Sequence, residues 1–145
     1  PKLTNILLIR DPSEVVASYV KSRATVTPED IGIPQQRKLH DEIIEATGTA
    51  APIIDAGDFL RSPEKYLRAL CKYLGIEFTN RMLHWPAGRR ESDGVWAPYW
   101  YAAVEASTGF ETWHTRDTAL GGDAAHVVES CRADYDFLYQ RRWII

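Results

Sequence analysis

The sequence predicts an α/β fold, rich in helix and built on a parallel sheet. Two short runs, Leu3 to Ile9 (LTNILLI) and Pro52 to Asp55 (PIID), are apolar without polar alternation. Strands of that kind are covered on both faces, as parallel strands are. Helix start signals stand close behind them, at Asp11-Pro12-Ser13-Glu14 and at Ser62-Pro63-Glu64. The resulting order is strand, helix, helix, strand, helix, loop, helix, helix. With no internal repeat and no linker, residues 1–145 read as a single domain.

Each element has its own signals. Asp11 is a good N-cap, Pro12 suits the first helical position, and Glu14 stands at the capping-box position, so a helix is predicted through Val15, Val16, Ser18 and Tyr19 to about Ser22. Thr27-Pro28-Glu29-Asp30 repeats the start signal, and Gly32 and Pro34 interrupt it. A second helix is predicted from Pro34 to Thr47, with Leu39, Ile43 and Ile44 inward and Gly48 at its end. The Ser62 signal opens a helix to Leu74 that places Tyr66, Leu67, Leu70, Cys71 and Leu74 on one face, and Gly75 closes it with Ile76 over the last turn. Arg81 to Gly94 reads mostly as loop and Pro98 to Ser107 as helix. The last helix is predicted from Asp123 to about Arg142, with Val127, Val128, Cys131, Tyr135 and Leu138 inward.

Composition excludes several classes of function. Hydrophobic residues make up 45% and charged residues 26%, an ordinary globular balance that rules out disordered and fibrous chains. The 17 basic residues against 20 acidic ones leave a net charge of −3, so general affinity for nucleic acid or anionic membrane is not expected, and any anion site must be a local basic cluster. Cys71 and Cys131 are too few for a disulfide scaffold, lack metal-ligand spacing, and fall on apolar helix faces, which reads as buried thiols in a reducing compartment. No apolar run approaches the ~18 residues of a membrane span, and nothing reads as a signal peptide. A cytoplasmic location is expected. The chain starts at Pro1 and enters a strand-like run almost at once, as a cut through a larger protein would.

Two constellations carry candidate chemistry. The first strand ends at Arg10 and turns directly into a Pro-initiated helix, which puts a guanidinium at the carboxyl edge of the sheet, where open α/β folds bind ligands. A guanidinium fork suits phosphate or sulfate. Ser18 lies seven residues beyond Asp11, close to two helical turns and about 10 Å along the axis, so it returns to the same face. Two readings are open here. Arg10 and Ser18 can meet on one anion beside the helix, or Arg10 pairs with Asp11 or Glu14 and Ser18 is an incidental helical serine. The second constellation is Arg89-Arg90, after Gly88 and before Gly94 and Trp96. It suits a loop closing over an anion, or else a solvated basic turn before a Trp-rich segment.

The stretch ILLIRDPSEVVASY, Ile6 to Tyr19, resembles the 3′-phosphate-binding element of the sulfotransferases that use 3′-phosphoadenosine 5′-phosphosulfate. In that family a strand ends in Arg, a Pro follows closely, and a Ser stands eight positions after the Arg. RRESDGVW, Arg89 to Trp96, is similar to the family's later Arg-Lys-Gly…Gly-Asp-Trp element at Arg89, Arg90, Gly94 and Trp96, and departs from it at Glu91 and Val95. KYLRALCKYLGIEF, Lys65 to Phe78, and MLHWPAGRRESDGVWAPYWY, Met82 to Tyr101, also look like family segments, the latter like a bacterial branch.

The resemblance implies the C-terminal part of a parallel-sheet, P-loop-related nucleotide-binding domain. It also implies transfer of a sulfuryl group from 3′-phosphoadenosine 5′-phosphosulfate to a hydroxyl or amine acceptor of unspecified identity, without a metal. Arg10, Ser18, Arg89 and Arg90 are then the residues that hold the 3′-phosphate. The family's phosphosulfate loop, with its lysine, and its general base, a histidine, have no counterpart here, because all five lysines lie at or before Lys72 and none follows a Gly-rich turn. No catalytic residue is therefore assigned within the chain. Of the histidines, His40, His84, His114 and His126 have no i, i+4 His partner and no nearby Cys, and read as surface or hydrogen-bonded structural groups. In the cluster Trp96, Tyr99, Trp100, Tyr101, Trp100 reads as packing, while Tyr99 and Tyr101 suit either packing or an apolar acceptor pocket. One alternative is a non-catalytic module of the same fold that binds a nucleotide, an anion or a protein partner. Another is a P-loop kinase relative, which would need a Gly-rich loop and an acidic magnesium ligand after a strand, here Asp55.

Overall fold

The computed structural model describes residues 3–95, 101–114 and 118–145. In chain order the elements are β1 (Leu7–Ile9), α1 (Pro12–Tyr19), α2 (Pro28–Ile31), α3 (Ile33–Thr47), β2 (Ile53–Asp55), α4 (Ala56–Arg61), α5 (Pro63–Leu74), a single 3₁₀ turn (Asn80–Met82), α6 (Ala102–Ala106) and α7 (Gly122–Tyr139). They fall into two compact units, Pro1–Phe59 with His114–Ile144, and Leu60–Trp113 with Ile145.

The first unit holds the sheet. β1 and β2 pair in parallel, with Leu7 opposite Ile53, Leu8 opposite Ile54 and Ile9 opposite Asp55. The parallel α/β character expected from the apolar runs is present, on a small sheet. The expectation of cover on both faces holds for β2, which is buried throughout. It fails for β1, where Leu7 and Ile9 are buried and Leu8 is 59% exposed. α3 and α7 pack against β1, and side chains alternate across a strand, so Leu8 stands on the face those helices leave open.

The core of this unit gathers Leu7, Ile9, Val16, Ile33, Ile43, Ile53, Val127, Cys131, Tyr135 and Leu138. Val127, Cys131, Tyr135 and Leu138 follow one another at helical spacing along α7 and form its buried stripe. Burying each large apolar side chain contributes roughly 1.5–3 kcal/mol. On α3 the buried residues are Ile33, His40 and Ile43, and the expected Leu39 and Ile44 are instead more than a third exposed. The stripe is centred between His40 and Ile43, which leaves Leu39 and Ile44 on its two borders. His40 takes an apolar position because its needs are met: Nδ1 lies 2.9 Å from an Asp41 oxygen, and its ring stands edge-on to Phe137 at 5.6 Å.

Helix ends follow local chemistry. At α2 the Thr27 hydroxyl accepts from the Asp30 amide while the Asp30 carboxylate accepts from the Thr27 amide, closing a capping box. α4 was not expected. It exists because the Asp55 carboxylate accepts from the amides of Gly57 at 2.9 Å and Asp58 at 3.1 Å, capping a helix that begins where β2 ends.

In the second unit, α5 buries Tyr66 and Cys71, and Leu74 is exposed rather than inward. Gly75, at φ 67°, reverses the chain in the left-handed region. The Ile76 amide then returns to the Cys71 carbonyl at 2.9 Å, a Schellman closure. Ile76 itself is 53% exposed and does not cover the turn. His84 and Gly109 form an isolated antiparallel bridge, and Trp85 is held by its amide to the Thr108 carbonyl and by its indole N–H to the Ser107 hydroxyl, each at 3.0 Å. The helix predicted over Pro98 to Ser107 is observed at Ala102–Ala106, and Trp96, Pro98, Tyr99 and Trp100 lie outside the described residues.

Candidate anion site

The carboxyl edge of the sheet is a row of charged side chains. Ile9 and Asp55 are register partners, so Arg10 and Asp55 stand on the same rim. Asp11 caps α1 as the sequence predicts: one carboxylate oxygen accepts from the Ser13 amide at 2.8 Å and from the Ser13 hydroxyl at 2.6 Å. Arg132, from α7, reaches the same carboxylate with Nη1 at 2.9 Å and Nη2 at 3.4 Å. Burial alone would raise the Asp11 pKa. The hydrogen bonds from Arg132 and Ser13 and the charge of Arg132 outweigh it and hold the carboxyl below the ordinary carboxylate value.

Glu14 does not turn back to close a capping box. It accepts from Arg10 Nε at 2.8 Å, one turn away, and only 14% of its side chain is exposed. This engages a single nitrogen of Arg10. A guanidinium carries five N–H donors, and among the described residues the two Nη groups of Arg10 make no hydrogen bond to protein. Arg10 is about one-third exposed. Ser18 is exposed near the end of α1, and its hydroxyl has no protein partner among the described residues. The rim therefore offers a guanidinium end just before α1, with a carboxylate already on its Nε side, and Ser18 lies near the other end of that helix.

Deeper on the rim, Tyr135 donates its hydroxyl to Asp55 at 3.0 Å, and Arg142 Nε donates to Asp58 at 2.6 Å. Burial pushes the Asp55 carboxyl above its ordinary value, and hydrogen bonds from the Asp58 amide, the Tyr135 hydroxyl and the Gly57 amide offset only part of that. Burial and the neighbouring Asp55 charge push the Tyr135 phenol up as well. The Asp55 carboxylate, weighed from the sequence as a magnesium ligand, is thus occupied as a helix cap and a phenol acceptor.

Arg89 and Arg90 belong to the second unit, in an exposed turn. The Arg90 amide donates to the Asp93 carboxylate at 2.9 Å, and the Asp93 amide returns to the Arg90 carbonyl at 3.0 Å. Gly88, at φ 114°, feeds this turn and donates its amide to the Glu105 carbonyl at 2.7 Å. Arg89 makes no hydrogen bond among the described residues, so its charge is available to a ligand. Elsewhere in this unit an open groove of about 580 Å³ is lined by Glu64, Leu83, His84, Phe110 and Glu111 among others.

Both cysteines are buried and unpaired, as their place on apolar faces predicts, and burial raises the Cys131 thiol. His84, His114 and His126 are exposed. Among the described residues no group of three or more His, Cys, Asp or Glu is placed to hold a metal ion, and no helix is long and apolar enough to cross a membrane. Sequence reasoning did not find Arg132. It lies 121 residues from its partner, and no local pattern could have paired them.

A family model described as a sulfotransferase domain matches residues 3–126. Two curated proteins of Arabidopsis thaliana, branched-chain-amino-acid aminotransferase-like proteins 1 and 2, are 38% and 37% identical to this chain over 108 residues. The match covers 74% of this chain, which spans only 19% of the length of each relative. No solved structure matches.

Proposed function

The chain belongs to the sulfotransferase domain family, and from that premise we propose that it binds the 3′-phosphate end of 3′-phosphoadenosine 5′-phosphosulfate and positions that donor for sulfuryl transfer to a hydroxyl or amine acceptor. On this reading the sheet is part of a P-loop-related nucleotide-binding domain working in a reducing compartment. The observation that carries the reading is the run from β1 into α1. Arg10 stands at the carboxyl edge of a parallel sheet, directly before a helix fixed by the Asp11 cap and Pro12. That edge is where open α/β sheets take their ligands.

The residues present fit a dianionic phosphate. Arg10 offers its two Nη groups as a fork, and Ser18 offers a hydroxyl on the helix that follows it. The family resemblance assigns Arg89 and Arg90 to the same phosphate, and their exposed turn suits an anion approached from solvent. When bound, the donor supplies an activated sulfuryl group. The work of this chain's residues is binding and orientation, which converts an encounter between two reactants into a step within one complex. The word aminotransferase in the relatives' names belongs to proteins of which this chain spans 19% and is not carried over.

Titration calorimetry with adenosine 3′,5′-bisphosphate tests the reading. Wild type binds, and Arg10→Ala loses most of that binding; equal affinity in the two proteins overturns it. The Arg10–Glu14 ion pair favours a second reading, in which Arg10 is structural and the same fold serves as a protein-interaction module. On that reading neither wild type nor Glu14→Gln takes up the bisphosphate.

A further inference from the structure

Two carboxylates follow Arg10 closely, Asp11 next to it and Glu14 one helical turn on. Left alone, both would compete with an incoming anion for the guanidinium and would repel it. Glu14 holds Nε. Asp11 is drawn off by a different cation: Arg132 grips its carboxylate with both terminal nitrogens, at 2.9 and 3.4 Å. Both side chains of this pair are about one-third exposed, so the pair sits at the surface of the rim.

We propose that Arg132 is a positioning residue of the anion site, holding Asp11 in its capping geometry and cancelling its charge so that Arg10 remains available to a phosphate. The inference rests on the reading of Arg10 as the phosphate ligand. With Arg132 present, the four groups Arg10, Asp11, Glu14 and Arg132 sum to zero, two cations against two anions. Without Arg132 they sum to −1, and the uncompensated charge is on the residue adjacent to the ligand. Opposite charge attracts and like charge repels across several ångströms at a protein surface, so affinity for a dianion falls although no contact to the ligand is removed. Arg132 reaches the site from α7, far from both constellations in the sequence.

Calorimetry with adenosine 3′,5′-bisphosphate at low salt tests this on four proteins besides wild type. Arg132→Gln is expected to bind about tenfold more weakly, equivalent to about 1.4 kcal/mol, and Arg132→Lys to lose less. Asp11→Asn, which keeps a capping side chain, is expected to bind several-fold more tightly than wild type. Asp11→Asn combined with Arg132→Gln is expected to recover most of the lost affinity. A merely structural role for Arg132 would not be rescued by neutralising Asp11, so a double variant as weak as Arg132→Gln overturns the inference. Asp11→Asn alone binding more weakly than wild type also overturns it, and does so even if Arg132→Gln fails to fold. Wild-type binding that is lost in Arg10→Ala but unchanged in Arg132→Gln overturns the inference and leaves the assignment of Arg10 standing. No binding by wild type removes both.

Discussion

The hydroxyl of Tyr135 donates to the carboxylate of Asp55 across 80 residues of chain, at 3.0 Å and between two buried side chains. The bond joins the last helix to the end of β2 and completes a carboxylate already engaged by the Gly57 and Asp58 amides. Tyr135→Phe should lower stability by about 1–3 kcal/mol, the cost of leaving a buried acceptor short of a donor. It should also raise the Asp55 pKa further, because the phenol favours the ionised form. Urea denaturation and carbon-detected titration of the carboxyl check the two effects separately.

Asp55 also gives stability a signed dependence on pH. Its pKa in the folded chain lies above the ordinary value, so the folded state holds the proton more tightly than the unfolded one. That contribution is fully present below the unfolded carboxyl pKa of about 3.9 and is lost as pH rises through the folded value. Compared with Asp55→Asn at each pH, wild type should therefore lose relative stability as pH rises through this window. Asp11 runs the other way: its folded pKa is depressed, and its contribution is lost as pH falls through that value. Denaturation midpoints of wild type, Asp55→Asn and Asp11→Asn over an acid series should diverge in these opposite directions.

Glu14→Gln separates the two roles open to Arg10. Exposed pairs at this helical spacing are worth about 0.3–0.5 kcal/mol, but Glu14 is mostly buried, so stability should fall by about 1 kcal/mol. Freed from its intramolecular partner, Arg10 should bind adenosine 3′,5′-bisphosphate several-fold more tightly. Unchanged or weaker binding by calorimetry would show that Glu14 is not a competitor for the guanidinium.

Arg89 and Arg90 are exposed and contribute little to the core. Replacing both with Ala should leave the melting temperature within a degree or two. It should also weaken bisphosphate binding by about tenfold at low salt, a difference that shrinks as salt screens the charge. Affinity measured at two ionic strengths checks it. Identical binding by the double variant would remove the second constellation from the site.

Local chemistry made much of this chain legible. The Asp11 cap, the buried stripe of α7 and the Gly75 reversal all rest on residues close together in sequence, where propensity and spacing act directly. α4 escaped notice because its cap, Asp55, ends a strand, and the PIID run was read as strand alone. Leu39 and Ile44 were placed inward because both are apolar, yet the stripe on α3 is centred between Ile43 and a histidine whose Nδ1 meets Asp41. The rim was half visible. Arg10 stands just before a short helix that carries Ser18, and Glu14, one of the two pairing partners the sequence offers for Arg10, takes its Nε, whereas the cation that holds Asp11 is an arginine from the far end of the chain. Pairing of that kind is decided by tertiary packing, and a one-dimensional pattern does not contain it.

The Trp143 amide donates to the Ile53 carbonyl at 2.8 Å. Carbonyls alternate sides along a strand, and the Pro52 carbonyl already accepts from Leu7 on β1, so Ile53 turns its oxygen to the opposite margin of β2. The tail beyond α7 thus works as a clasp on that margin, taking up an acceptor that a stray β-strand from another molecule would otherwise find. Cutting the chain just before Trp143 would unfasten it, and a shortened protein prone to stick to its own copies is the result to watch for.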